Sequence, residues 1–281
     1  MHREIQGDIK YEFGLIGYPL GHSFSAALFN EKFNEEKIPA TYTLMPLENI
    51  TKLPDILNNH LALTGLNVTI PLKEVIIGQL DALSQDVKEI GAVNVVTLHT
   101  CSATGKKILK GYNTDWVGFL RSLSPLLHHG ISKALILGTG GAAKAAAYAL
   151  QSLGIKTTFV SRRSAVNSES SNANRRIIRY QDMTSDLLAQ NLLIVNATPV
   201  GMFPNVSDAP DIPYQWLTPS HVCFDMVYNP LQTEFMRRCA LRGASVINGI
   251  EMLRIQAEEA WEIWTRENPE LNGAILPLRK S

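Results

Sequence analysis

The chain has 281 residues, of which 45% are hydrophobic and 19% charged, a globular composition with length enough for two modest cores. Acidic and basic residues balance at 26 each, so no net charge directs the chain to nucleic acid or an anionic membrane, and small-molecule partners are expected. The first residues lack the apolar core of a signal peptide, no window approaches a membrane span, and three widely spaced cysteines without a CxxC pair speak against a disulfide framework or a zinc site. A cytoplasmic location and no metal are therefore expected.

Strand-like and helix-like runs alternate, the α/β pattern of a mainly parallel sheet covered on both faces. In the first third, strands are expected at 13–17, 41–45, 65–70 and 93–98, and helices near 24–36, 49–60, 73–80 and 115–127. The stretch GLNVTIPLK (65–73) stands out. Leu66, Val68, Ile70 and Leu72 alternate with Asn67, Thr69, Pro71 and Lys73, so one face is apolar and the other bears an amide, a hydroxyl and an ammonium. Such a polar face is either a solvated sheet edge or a site. Pro71 lacks a backbone donor and fixes its own φ, which suits the end of the ladder.

A second series starts at KALILGTGGAAKAAAYALQSLG, read as a strand, a glycine turn and an Ala-rich helix ending at Gly154. Gly138, Gly140 and Ala143 fit G-x-G-x-x-G/A in the strand-to-helix setting that gives this motif its meaning. Gly138 would allow the tight turn, Gly140 would admit a pyrophosphate to the backbone, and the helix N-terminus would offer N–H groups to its charge. A turn used only for packing and an S-adenosylmethionine site remain as alternatives. At the end of the next strand, where an NAD site carries a carboxylate, the chain reads FVSRRS. Ser161, Arg162, Arg163 and Ser164 suit a 2′-phosphate and leave no acid to repel it, so NADP(H) is the expected cofactor. Further strands fit TTFVSR, RIIRY, LLIVNAT, HVCFDMVY and ASVING. A last helix, about 250–266, follows that series and is expected to pack back on the first domain. SAVNSESSNANRR (164–176) reads as a polar, mobile surface loop, and Cys223 and Cys239 as small core residues.

Four more polar clusters fall at expected strand ends: GHSFS (21–25), GAVN (91–94), GYNTD (111–115) and NGIEMLRIQA (248–257). Singly, each has a plain alternative. Ser23 or Ser25 suits a helix cap, Asn94 a turn, and Thr114 or Asp115 the N-cap of the next helix.

As a set, GYPLGHSFS, NVTIPLK, GAVN, GYNTD, GTGGAAKA, NATPVGM, DMVYNPLQT and NGIEMLRIQA resemble, in order and over about residues 11–260, the shikimate dehydrogenase family. The resemblance implies an N-terminal α/β substrate-binding domain (1–112, completed by 250–281) and a Rossmann-type dinucleotide domain (113–249), with the active site in the cleft between them. It implies NADPH-linked, reversible reduction of 3-dehydroshikimate to shikimate by a monomer or homodimer. Carried over by motif, Ser23, Ser25, Asn67, Thr69, Lys73, Asn94, Asp115, Tyr228 and Gln256 would surround the substrate. Lys73 would be the acid/base group and Asp115 its partner. Gly138, Thr139, Gly140, Gly141, Ala142, Ser161, Arg162, Arg163, Thr198, Met226 and Gly249 would contact the dinucleotide. The chain departs from the family in having Ser161-Arg162-Arg163 for the common Asn-Arg-Thr, and Val166 where a further basic residue is often found. GTGGA for GAGGA and Ala26 for a common Pro are smaller changes.

The chemistry agrees with this assignment. Shikimate is small, polyhydroxylated and anionic, so its site needs many hydroxyls and amides with a cation or two. Hydride addition to a carbonyl builds negative charge on oxygen, which an ammonium in hydrogen-bond reach can stabilise and protonate. Lys73 is the one lysine within the clusters suited to this. Competing readings are a quinate/shikimate dehydrogenase, which should favour NAD through an acid after the second strand, a non-catalytic dinucleotide-binding paralogue, and a methyltransferase built on GTGGA.

Overall fold

A computed structural model describes residues 9–21, 24–101, 105–127, 130–162 and 176–274, and the chain groups into two compact units, residues 1–114 with 257–281 and residues 115–256. The first unit contains strands β1 (Tyr11–Gly17), β2 (Ala40–Pro46), β3 (Leu63–Val68), β4 (Ala82–Leu83), β5 (Val95–Thr100) and β6 (Lys107–Tyr112). They form one sheet in the order β2-β1-β3-β5-β6-β4. β1 pairs in parallel with both β2 and β3, whereas β3–β5 and β5–β6 are antiparallel. Its helices are α1 (Phe24–Glu35), α2 (Leu53–Asn59) and α3 (Gln85–Ile90).

Alternation along the strands builds two cores. Phe13, Leu15 and Val95 face Phe29 and Phe33 of α1, and Ile16, Leu66, Val68 and Val96 face Leu53, Leu72 and Ile76. In the second unit α4 (Asp115–Leu123) precedes strands β7 (Lys133–Leu137), β8 (Lys156–Ser161), β9 (Arg176–Arg179), β10 (Leu193–Asn196), β11 (Val222–Asp225) and β12 (Ser245–Ile247). These run all parallel in the order β12-β11-β10-β7-β8-β9. That is the doubly wound dinucleotide-binding topology, whose strand order reverses between β7 and β10. Helices α5 (Gly141–Ser152), α6 (Ser185–Gln190) and α7 (Glu234–Ala240) flank the sheet. Ala134 and Ile136 pack with Ala143, Ala146 and Leu150, and Leu135 and Leu137 with Leu188 and Phe235, so β7 is apolar on both faces. Cys223 and Cys239 are buried here as expected.

Helix α8 (Ile250–Glu267) is shared: Met252 belongs to the second unit's core, and Ala257, Ala260, Trp261 and Trp264 belong to the first unit's. The later turns thus pack into the first unit's core. Trp264 lies fully buried against β3, donating its indole N–H to the Val96 carbonyl at 3.0 Å. The position of Gly65 explains the glycine, because a Cβ there would stand 2.3 Å from Trp264 Nε1. Gly65→Ala is expected to cost about 3 kcal/mol or more through overpacking, seen as a fall in Tm of roughly 6–12 °C in a thermal melt. An unchanged Tm would show that the indole can move away.

Several elements differ from the sequence expectation. β3 ends at Val68, not at 70, and Ile70 is 56% exposed instead of joining the apolar face. The Thr69 N–H bonds the Ile16 carbonyl and the Leu72 N–H bonds the Thr69 carbonyl, so the chain turns here and returns Leu72 alone to the core. The run 73–80 is a 3-10 turn, Val75–Gln79, and the helix expected through 127 stops at Leu123, where Pro125 cannot continue it. β6 and α3 were unanticipated. The loop expected at 164–176 lies outside the described residues except at Arg176, which begins β9.

Candidate active site

In the first unit the ends of β1 and β3 and the approach to β5 bring four of the expected residues together. Asn67, on β3, accepts a 2.7 Å hydrogen bond from the Tyr42 hydroxyl and donates to the Asn94 carbonyl at 3.3 Å. Burial pushes the Tyr42 phenol well up, so it serves as a proton donor throughout the neutral range. The Val93 N–H donates to the Lys73 carbonyl at 2.7 Å, and the Val68 N–H donates to the Asn94 carbonyl at 2.9 Å. The backbones at Lys73 and Asn94 are thereby tied to the same short segment. Thr69 follows β3 directly, and its methyl lies so near Gly17 that a Cβ on Gly17, where φ is +154°, would come within 2.4 Å. Lys73 and Thr69 are half-buried, not solvated strand ends.

Asn94 is buried and does more than shape a turn. Its Oδ1 accepts from the Thr114 N–H at 2.7 Å and its Nδ2 donates to Thr114 Oγ1 at 3.0 Å. Asn113 Nδ2 donates to the Ala92 carbonyl at 2.9 Å. These bonds fix the chain as it leads into α4, which begins at Asp115. Asp115 is 1% exposed within the first helical turn, which is no place for a carboxylate that only caps a solvated helix end. Ser25 likewise lies inside the first turn of α1, not at its cap, and Ser23 falls outside the described residues.

In the second unit Gln256 on α8 packs against Gly118 of α4, where a Cβ would meet Gln256 Cγ at 2.8 Å and the Met252 carbonyl at 2.7 Å. Gly118 lies one turn beyond Asp115 on the same helix face, so this close crossing holds Gln256 and Asp115 to the same side of α4. A glycine inside DWVGFLRSL was the sequence signal for that approach, since it otherwise costs about 1 kcal/mol against alanine. Tyr228 follows β11, and burial raises its phenol pKa.

The glycine turn fits a dinucleotide on grounds internal to the structure. Gly138 has φ +102° and a Cβ there would press on Thr198 and Ala197, so conformation and packing account for it. Gly140, just before α5, is in extended backbone and a Cβ would meet nothing within 4 Å. Neither strain nor protein packing requires glycine at that position, and the open space beside its backbone leaves room for a ligand to approach closely. Thr139 is exposed beside it, Gly141 and Ala142 open α5 with N–H groups that helical geometry leaves without intrahelical acceptors, and Ser161 ends β8 with exposed Arg162 next. Arg163 and Val166 lie outside the described residues.

Thr198, Met226 and Gly249 follow β10, β11 and β12, and a buried network that the sequence reading missed joins their loops. Asn196 Oδ1 accepts from the Thr198 N–H at 3.1 Å and its hydroxyl at 2.6 Å, and Asn196 Nδ2 donates to Asp225 Oδ1 at 3.0 Å. Asp225 also accepts from the Val227 N–H at 3.0 Å and from the Thr233 hydroxyl at 2.5 Å. Its burial pushes the carboxyl up to about 6 against the opposing pull of these three donors. Gly249 passes so close to Met226 that a Cβ would lie 2.3 Å from the Met226 carbonyl oxygen.

Comparison with known proteins agrees with this geometry. The family model for the shikimate dehydrogenase substrate binding domain matches residues 15–96. A shikimate dehydrogenase (NADP(+)) of Maridesulfovibrio salexigens is 38% identical, covering 90% of this chain and 90% of its own. That of Desulforamulus reducens is 36% identical, covering 90% and 89%. Among solved structures, a shikimate 5-dehydrogenase from Listeria monocytogenes in complex with shikimate and NAD superposes with a TM-score of 0.78 at 27% identity, covering 97% of this chain and 98% of its own.

Proposed function

The chain belongs to the shikimate dehydrogenase family, and from that premise we propose that it catalyses the reversible, NADP-linked reduction of 3-dehydroshikimate to shikimate. The observation that carries the reading is the joining of Asn67, Thr69, Lys73 and Asn94 at neighbouring strand ends, a set of amide, hydroxyl and ammonium groups suited to a small polyhydroxylated anion. When bound at the Gly138–Gly140 turn, the dinucleotide supplies or accepts the hydride. Lys73 donates a proton to the carbonyl oxygen during reduction and withdraws it during oxidation, and Asp115 acts with it. Ser23, Ser25, Thr69, Asn94, Tyr228 and Gln256 bind the hydroxyls and carboxylate, and Asn67, held by Tyr42, orients the site. Thr139, Gly141, Ala142, Ser161, Arg162, Arg163, Thr198, Met226 and Gly249 hold the dinucleotide.

Either a monomer or a homodimer can carry this reaction, since every residue named lies on one chain. No helix among the described residues is long and apolar enough to cross a membrane. We take the reaction to be cytoplasmic, where buried thiols such as Cys223 and Cys239 stay reduced. The test follows NADPH oxidation with 3-dehydroshikimate, and NADP+ or NAD+ reduction with shikimate and with quinate. Turnover of shikimate with NADP+ is the expected result. Turnover of quinate with NAD+ at an equal or higher kcat/KM would transfer the assignment to a quinate enzyme, and binding of S-adenosylmethionine without dinucleotide turnover would overturn it altogether.

A further inference from the structure

We propose that Asp225, with Asn196 and Thr233, is a positioning residue of the reaction, holding in one arrangement the three loops that carry Thr198, Met226, Tyr228 and Gly249. The inference rests on the reading that those four residues contact dinucleotide and substrate. Asn196 and Asp225 are the last residues of adjacent strands and pair directly in the ladder, so their side chains meet where the chain leaves the sheet. From there the bonds run outward into each loop. Asn196 takes both donors of Thr198, Asp225 takes the N–H of Val227, which lies between Met226 and Tyr228, and Thr233 both donates to Asp225 and accepts from the Met236 N–H at 3.2 Å to cap α7. The loop after β12 joins through backbone, the Gly249 N–H donating to the Val227 carbonyl at 3.1 Å.

The fold alone does not account for a carboxylate here. Asp225 and Asn196 are both fully buried, and the three donors to Asp225 are an amide, a hydroxyl and a backbone N–H, none of them a cation. A buried charge with such neutral partners is costly, and apolar side chains of similar volume fill a core as well or better. What an apolar replacement cannot do is bond the Val227 N–H and the Thr233 hydroxyl at once. A fully satisfied polar network confers a single loop arrangement, which a hydride-transfer site requires more than a core does.

The experiment compares Asp225→Asn, Thr233→Val and Thr233→Ser with the wild type, all as full-length protein at a temperature well below each variant's Tm and with the fold checked by circular dichroism. The dissociation constants of NADP+ and shikimate are measured by calorimetry, and KM and kcat by turnover. Asp225→Asn places an NH2 group against the Thr233 hydroxyl, and Thr233→Val removes that hydroxyl. Each is expected to raise both dissociation constants at least fivefold and to lower kcat/KM at least tenfold, while Thr233→Ser, which keeps the hydroxyl, restores values within about twofold of wild type. A merely structural network would lower Tm and leave the constants of the folded protein where they were, and that result overturns the proposal. If Asp225→Asn fails to fold, the Thr233 pair decides: equal constants for Val and Ser overturn it, and a fivefold separation sustains it. A wild type that binds NADP+ and turns over shikimate while the variants do the same unchanged defeats this inference alone, whereas a wild type that does neither defeats the reading beneath it.

Discussion

Lys73→Ala is expected to lower kcat roughly 10²–10⁴-fold, the usual contribution of a positioned general acid or base, while raising the KM for shikimate far less. The asymmetry follows from when the ammonium is needed. Charge on the carbonyl oxygen is greatest as hydride arrives, so an interaction made chiefly in the transition state appears in kcat, whereas one made equally with bound substrate appears in KM. Two of the contacts that hold this turn do not involve the Lys73 side chain. The Lys73 carbonyl accepts from Val93 and the neighbouring Leu72 is 1% exposed, and neither changes when the side chain is truncated. Were Lys73 only a surface cation, the same change would cost less than ~0.5 kcal/mol of stability and nothing in rate. Asp115→Asn supplies the cross-check. Two groups acting as one unit are non-additive, so the double variant should lose little more than the worse single variant. A rate loss equal to the product of the two single losses would show independent action, and a folded Lys73→Ala enzyme with near-normal kcat would remove Lys73 from the chemistry.

How much of this could be read from residues alone differs between the units for physical reasons. The second unit was legible because a parallel sheet covered on both faces writes itself as short apolar runs, KALIL, LIVN and VCFD, spaced by helices. In the first unit the hairpin β5–β6 breaks that rhythm. Lys107-Ile-Leu-Lys-Gly-Tyr has two apolar neighbours and no alternation, and its Gly111 fits close packing, since a Cβ there would lie 2.5 Å from Leu80. Helix α3 carried better signals than were used, with Ser84 before it and Gly91 at φ +75° after it. In the site, chemistry-bearing types such as Lys73 and Asn94 were visible because their motifs recur as a set. The residues that hold others in place were not. Asn196 and Asp225 sit at strand ends that read equally as turn residues, and only three-dimensional pairing shows that they bond each other. Ile70 was misread because alternation predicts a face only while the strand lasts, and here it lasts to Val68.

For the cofactor, Arg162→Ala is expected to raise the KM for NADP+ roughly ten- to a hundredfold, the range for losing a charge-assisted bond, and to leave the NAD+ constants nearly unchanged. The fold does not settle the choice between the two dinucleotides, since the Listeria relative that superposes on this chain was solved with NAD. The choice has to come from side chains at the end of β8. Ser161 closes that strand opposite Arg179 of β9, and exposed Arg162 follows. Burial pushes up the phenol of Tyr180, which follows β9, and the Arg162 charge partly offsets this, so that charge lies near the end of β9. The ribose of a dinucleotide lies at the neighbouring end of the second strand in this topology. A guanidinium there can engage a phosphate through two parallel N–H bonds, and NAD+ has only a hydroxyl to offer. The KM measurements should be joined by inhibition with adenosine 2′,5′-bisphosphate, which carries the 2′-phosphate without a nicotinamide. Its inhibition constant should rise in step with the KM for NADP+, whereas adenosine 5′-phosphate should inhibit both proteins alike. Lys in place of Arg162 keeps the charge but not the planar fork, so it should fall between alanine and wild type. Equal use of NADP+ and NAD+ by the wild type would show that Arg162 is ordinary surface charge, and selectivity would then have to be sought elsewhere along the chain.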